Sequence, residues 1–325
     1  MNLTMRTRSH IAVGLIGIVF GVRGQAADGN VVASGYQLPQ DIIGSPGQVI
    51  TILLQGLTPP PQRLSAESDK WPLTLGGISA TIAAATQTGP KTLAISLQSA
   101  FPFSNCAPPA GSCGTLTGLT LQIPFEILAN SPGRLTPPLT AFLTVSDQAG
   151  HTVTALVNPL PDQIHVVRSY DAIMGGNGGG PPAVTHADGS AVSIDSPAKP
   201  GEVLAMYAVG LGSVTPEVPD GGPGPASPLA TTQTLFRLNY DTQANASPSP
   251  GVSQASTGDP PPPLAPLFVG LAPGFVGLYQ VDFLVPSLPA GTLPCGGPVA
   301  SNLTVTLVGG TSFDGAGLCV AVNGS

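Results

Sequence analysis

Four cysteines, Cys106, Cys113, Cys295 and Cys319, are the residues of this chain whose type and spacing speak most directly of chemistry. An even number behind an export-type leader favours disulfides, and four cysteines allow three pairings. Nearness along the chain selects Cys106–Cys113 and Cys295–Cys319, each closing a short loop and adding about 2–4 kcal/mol. Zinc is the other chemistry open to such thiols. It is disfavoured, because no C-x-x-C spacing occurs and no histidine lies close by.

The histidines beyond the leader are His151, His165 and His186. His186 and Asp188 offer parts of a hydrolase triad or a metal site, but nothing in their spacing selects a serine, and an exposed turn explains them better. Ser196 and Lys199 have the S-x-x-K spacing of penicillin-recognising enzymes. That spacing works on a helix, which Pro197 and Pro200 exclude here, and no SDN or KTG partner occurs. No G-x-S-x-G elbow is present. The GGNGGG run at residues 175–180 is similar to calcium-binding glycine-rich repeats, but it is a single run without an aspartate, leaving Asp171, Asp188 and Asp195 nearby. Sugar binding calls for aromatic platforms, and only 5% of residues are aromatic. Trp71, beside Pro72, is the one tryptophan; it is a weak candidate platform and reads better as a core edge. The residues therefore predict no catalytic group, no cofactor and no metal.

Any such groups must be positioned by strands. Charged residues are only 8% of the 325-residue chain, whereas 42 Gly and 37 Pro make up about a quarter of it. The apolar share is still 42%, gathered in short Val/Ile/Leu/Thr runs, so the chain has enough to bury and is not disordered throughout. Short apolar runs between Pro/Gly turns predict an all-β sandwich architecture.

The N-terminus carries Arg6 and Arg8, then an apolar run of 12 residues from Ile11 to Val22, then small residues to Ala27. This pattern predicts a secretory signal over 1–27 with cleavage near Ala26 and Ala27, and hence a secreted, periplasmic or cell-surface protein. The run is too short to cross a bilayer, which takes about 20 residues, and no later run is long enough. Loss of Arg6, Arg8 and Arg23 from ten basic residues leaves seven against 17 acidic ones, so the mature chain is strongly acidic. Such a surface repels nucleic acid and anionic lipid.

Residues 46–57, PGQVITILLQGL, and residues 200–211, PGEVLAMYAVGL, agree at five of twelve positions. Two further pairs follow in order, Leu121 to Phe125 with Tyr279 to Phe283 and Leu143 to Val145 with Leu303 to Val305. Three ordered matches predict two tandem immunoglobulin-like β-sandwich domains related by internal duplication, at 28–160 and 161–325, joined through Asn158, Pro159, Leu160 and Pro161. Pro200, Gly201, Gly210 and Gly212 read as turn residues bracketing the repeated strand, and Pro273 with Gly274 as a type II turn. Phe275, Leu278 and Phe283 read as core anchors, and Tyr279 as a buried ring with its hydroxyl on backbone. Residues 101–114 read as a stapled surface loop, and 243–266 as a disordered or polyproline loop.

The second half, in HADGS (186–190), PAKPGEVLAMYAVGLGSVTP (197–216) and VGLAPGFVGLYQVDFLVPSLPAG (269–291), resembles an uncharacterised C-terminal module of secreted acidobacterial (Solibacter-type) proteins. The first half, in SPGQVITILLQGL and LTLGGISATI, resembles the opening of that module and IPT/TIG-type immunoglobulin-like domains. Asp282 stands where that module usually has Asn, and both cysteine pairs are additions to the pattern. The resemblance implies an immunoglobulin-like fold and an extracellular setting, and no activity. The function expected is non-enzymatic adhesion or matrix association with cell-envelope or extracellular polysaccharide or protein, with a carbohydrate-binding module and a cryptic hydrolase as alternatives.

Overall fold

The structure, a computed structural model, describes residues 31–34, 42–67, 69–106, 113–130, 139–171, 180–248 and 264–322. The predicted leader 1–27, most of the glycine run at 175–180 and the centre of the Pro-rich stretch, 249–263, lie outside the described residues. The described chain is all-β and contains no helix.

The first unit holds β1 (Val31–Ser34), β2 (Ile42–Gly44), β3 (Val49–Leu54), β4 (Leu64–Ser65), β5 (Thr74–Leu75), β6 (Ile78–Thr86), β7 (Gly89–Ala94), β8 (Leu97–Cys106), β9 (Cys113–Gln122), β10 (Ala141–Ser146) and β11 (Thr152–Pro159). The second holds β12 (His165–Val166), β13 (Val184–Thr185), β14 (Val203–Val209), β15 (Val214–Thr215), β16 (Thr231–Thr232), β17 (Arg237–Asp241), β18 (Phe268–Leu271), β19 (Tyr279–Leu284), β20 (Leu303–Val308) and β21 (Asp314–Leu318).

Each unit is two sheets face to face. In the first, β1-β3-β9-β8-β4 packs on β2-β11-β10-β6-β5. Ile50, Ile52, Leu119 and Leu121 from one sheet meet Ile82, Leu143 and Val157 from the other in a single apolar core. In the second, β12-β14-β19-β18-β16-β15 faces β17-β20-β21, and Leu204, Met206, Val281 and Phe283 pack on Leu238, Val305 and Leu307. Strands alternate inward and outward as period 2 demands, β6 reading buried at every second residue for most of its length.

The strand orders β1-β3-β9-β8 and β12-β14-β19-β18 match step for step, as do β11-β10-β6 and β21-β20-β17. The repeated strands β3 and β14 occupy equivalent places. The second sequence match is out of structural register, however. Ile50 pairs with Leu121, while its counterpart Leu204 pairs with Phe283 rather than Tyr279, a slip of four residues. Side chains recur every second residue, so a shift by an even number keeps the same face inward and leaves the apolar text looking aligned.

The turn residues behave as their chemistry requires. Gly210 and Gly212 have φ of 80° and 82°, and a Cβ on either would run into a carbonyl oxygen, of Gln163 and Pro161 respectively. Pro200 and Gly201 open β14 through a turn, and Gly201 N–H donates to Val285 O at 2.9 Å. Pro273 and Gly274 form the predicted turn, closed by Phe275 N–H donating to Ala272 O at 3.2 Å. Tyr279 is fully buried, and its hydroxyl donates to Gly212 O.

Three local expectations are corrected. Residues 101–114 are not wholly loop: β8 and β9 run on as a hairpin until Cys106 and Cys113 face each other as register partners. The side chains of those two cysteines lie outside the described residues. Phe275 is 56% exposed rather than a core anchor, because the turn at Pro273–Gly274 carries it outward. β9 stops at Gln122, just before Pro124, where Ile123 N–H turns to Gln48 O at 2.8 Å. At the edge of the Pro-rich stretch, Leu264 is held as a bridge partner of Leu238 rather than lying in an unpaired loop.

Candidate functional site

Buried polar contacts gather where the two sandwiches meet. Val49 and Trp71 from the first unit pack with Val167, Val209 and Val276 from the second in a third apolar cluster. Val49 is the one residue of β3 that departs from its β14 counterpart in environment: it is fully buried in the joint, whereas Val203 is 42% exposed. Hydrogen bonds surround this cluster. Trp71 N–H donates to Gly221 O at 2.9 Å, and Gly221 N–H donates to Gln122 Oε1 at 2.6 Å. Gln48 Nε2 donates to Gln163 O at 3.1 Å, and Gln163 N–H donates to Gly210 O at 2.7 Å. Leu160 N–H donates to Gly44 O at 2.9 Å, so the Pro159–Pro161 connector is bonded back to the first unit.

Trp71 is only 9% exposed and belongs to this joint. Its ring faces valines, so the platform reading is corrected and the core-edge reading stands.

Beside the joint runs a cleft of about 500 Å³. One wall comes from the β6–β7 turn, Lys91 and the segment after β9, with Thr88, Phe125 and Glu126. The other comes from the segment after β14, with Glu217 and Pro219, and from Gln233. At its edge Asp220 of the second unit accepts Phe125 N–H of the first at 2.8 Å. The Glu126 carboxyl reaches the same aspartate. Burial first, and then this second carboxyl, push the Asp220 carboxyl up to about 7. The result is a proton-sharing acid pair spanning two domains.

His186 answers the triad question. Its Nδ1 is 2.7 Å from Glu202 Oε1, and Ser196 Oγ is 3.3 Å from its Nε2. A Ser–His–Glu constellation thus exists, with Glu202 and not Asp188 as the acid. Asp188 instead closes its own turn, accepting Ser190 N–H at 2.9 Å and the Ser190 hydroxyl at 2.6 Å. His186 Nε2 also lies 3.1 Å from the Ser196 carbonyl oxygen. Acceptors at both ring nitrogens favour the doubly protonated imidazolium, and the Glu202 contact raises the His186 pKa. An imidazolium has no lone pair with which to take a proton from Ser196. Glu202 is also bound by Lys199 N–H at 2.9 Å, so the group ties the HADGS turn to the PAKPGE turn. Ser196 and Lys199 lie in that turn and not on a helix, as their prolines dictate.

A second histidine is framed by two carboxylates. His165 Nε2 lies 2.8 Å from Asp171 Oδ2, and its Nδ1 lies 3.3 Å from Asp314 Oδ2. Burial alone would lower the His165 pKa, but the two carboxylates outweigh it and raise it. Arg168 joins Asp314 at 3.3 Å, completing a partly buried network that pins β12 to β21. Nearby, the fully buried Asp162 accepts Thr311 N–H, Ser312 N–H and the Ser312 hydroxyl, each within 2.9 Å. Both clusters anchor backbone.

Cys295 and Cys319 form the predicted disulfide, with Cα atoms 5.7 Å apart. Among the described residues no group of three or more His, Cys, Asp or Glu is arranged to hold a metal ion. Among them, too, no helix is long and apolar enough to cross a membrane.

Fold and site together define a class: an all-β protein of two sandwiches with a polar cleft at their joint. No protein-family model matches the chain, and no curated protein matches it either.

The joint was not legible beforehand. Val49, Val209 and Val276 carry the same apolar signal as any sandwich strand. Only the burial of Gln48 and Gln122, polar residues flanking strands, distinguishes an interface, and that burial is visible only in three dimensions.

Proposed function

We propose that the chain is an exported, non-enzymatic protein of two duplicated immunoglobulin-like sandwiches that associates with the cell surface or extracellular matrix. The observation that carries this reading is the joint. A valine–tryptophan cluster ringed by cross-domain hydrogen bonds holds the two sandwiches as one body, and a rigid scaffold presenting loops and a cleft suits recognition. The leader-like N-terminus, the Cys295–Cys319 disulfide and the resemblance to the secreted acidobacterial module support an extracellular setting. The acidic surface argues against nucleic acid as partner. Retention of the mature protein on cell-envelope and extracellular polysaccharide fractions tests the reading, and absence of retention on every fraction contradicts it.

The hydrolase reading is kept as an alternative because of one observation, Ser196 Oγ at 3.3 Å from His186 Nε2. Covalent labelling of Ser196 by a fluorophosphonate would establish it. The doubly hydrogen-bonded imidazole predicts no labelling.

A further inference from the structure

We infer that the interdomain cleft is the recognition site, and that it takes a segment of a neutral, hydroxyl-rich polysaccharide. The inference rests on the association reading above and names the ligand class for it. Its volume, about 500 Å³, lies in the range of roughly 300–1,000 Å³ typical of small-ligand sites.

The lining decides the chemistry. Lys91 offers donors from one wall, Glu217 offers acceptors from the other, and Thr88 and Gln233 add uncharged donors and acceptors between them. Among the described residues no hydrogen bond or ion pair engages the side chains of Lys91 and Glu217, so both are available to a ligand. Each sugar hydroxyl is donor and acceptor at once, and a vicinal pair can bridge an ammonium and a carboxylate. With Trp71 buried in the joint, Phe125 is the aromatic ring this lining offers a sugar, so the polar pair carries the recognition. A polyanion meets two carboxylates here, Glu126 and Glu217, and a chain of formal charge −7. A peptide anchored by apolar side chains would need a deep apolar pocket. Here Phe125 and the Val214–Pro219 segment supply only part of the wall.

The walls are also fixed in advance. Phe125 and Asp220, at the cleft edge, are joined across the interface at 2.8 Å, and Gly221 is bonded to both Trp71 and Gln122. A cleft whose two halves are already locked together loses little freedom when it binds.

The test uses the mature protein and four neutral probes, the β-1,4-linked gluco-, xylo- and manno-hexaoses and maltohexaose, with a hyaluronan hexamer as the anionic control. Calorimetric titration is expected to show saturable binding of at least one neutral probe and none of hyaluronan. The double variant Lys91→Ala/Glu217→Gln is expected to bind that probe at least tenfold more weakly with an unchanged thermal midpoint, since both side chains are exposed. Equal affinity in the double variant overturns the inference, as does binding of hyaluronan alone. Binding of none of the four neutral probes also overturns it. If the protein is nonetheless retained on envelope fractions, the association reading survives that failure; if it is not, both fall.

Discussion

The carboxylate of Asp220 accepts the backbone N–H of Phe125 across the domain joint at 2.8 Å, and the same carboxyl lies against Glu126. Two acids from different sandwiches therefore meet at the edge of one cleft. They are compatible only while they share a proton. The sign of the pH dependence follows. Asp220 titrates at about 7 in the folded protein and near 3.8 when unfolded, so its contribution is whole below about pH 4 and is lost as pH rises to about 7. Thermal midpoints should fall across that interval. Asp220→Asn keeps an acceptor for Phe125 N–H and offers Glu126 a permanent donor, so it should flatten the fall. An unchanged pH profile in the variant would count against the shared proton.

The His165 network acts in a different window. Its pKa is raised above the ordinary 6.5, so its contribution is present below about 6.5 and lost as pH climbs through the folded value. Asp171→Asn removes one of the two carboxylates and should shrink the loss of stability seen above pH 6.5. It should leave the slope between pH 4 and 6 untouched. Denaturant melts at a series of pH values distinguish the two windows.

Trp71→Ala should destabilise the protein by about 3–5 kcal/mol, the usual range for emptying a large aromatic site in a packed interior. Its ring packs with Val167, Val209 and Val276 of the second unit, so the loss should appear as loosening of the joint. A change within experimental error in denaturant melts would mean that the ring is not packed as described.

At Gly210 any side chain meets both a left-handed φ of 80° and the Gln163 carbonyl. Gly210→Ala should cost at least about 1–3 kcal/mol from backbone strain alone. Gly201→Ala, at φ 83° but with open space around the Cβ, should cost less. Comparing the two by denaturant melts separates strain from collision.

Much of the fold was readable from local chemistry. Apolar runs between Pro/Gly turns specify strands wherever they occur, and β3, β14 and β19 fall on the runs at residues 46–57, 200–211 and 279–283. The burial of Tyr279 and its hydroxyl's bond to backbone were legible because a buried phenol must find an acceptor, while the acceptor, Gly212 O, was not. The matched text located β3 and β14 but concealed the register slip at β19, because period 2 cannot distinguish shifts of even length. The site was far less legible. Glu126 and Asp220 lie on different domains, and nothing local to either predicts the other. Glu202, not the adjacent Asp188, became the partner of His186 because the turn at Lys199 folds back onto the HADGS turn. Such pairings depend on how distant segments are brought together.

Recognition by a preformed cleft requires the joint to hold the two sandwiches as a single rigid body. Native-state hydrogen exchange at three amides that cross or support it, Trp71, Gly221 and Phe125, measures this directly. All three lie outside the regular strands, so only the joint can protect them. The predicted result is protection comparable to the central amides of β3 and β14, lost together in Trp71→Ala. Exchange of these amides at the rate of exposed loops, while β3 and β14 remain protected, would contradict it.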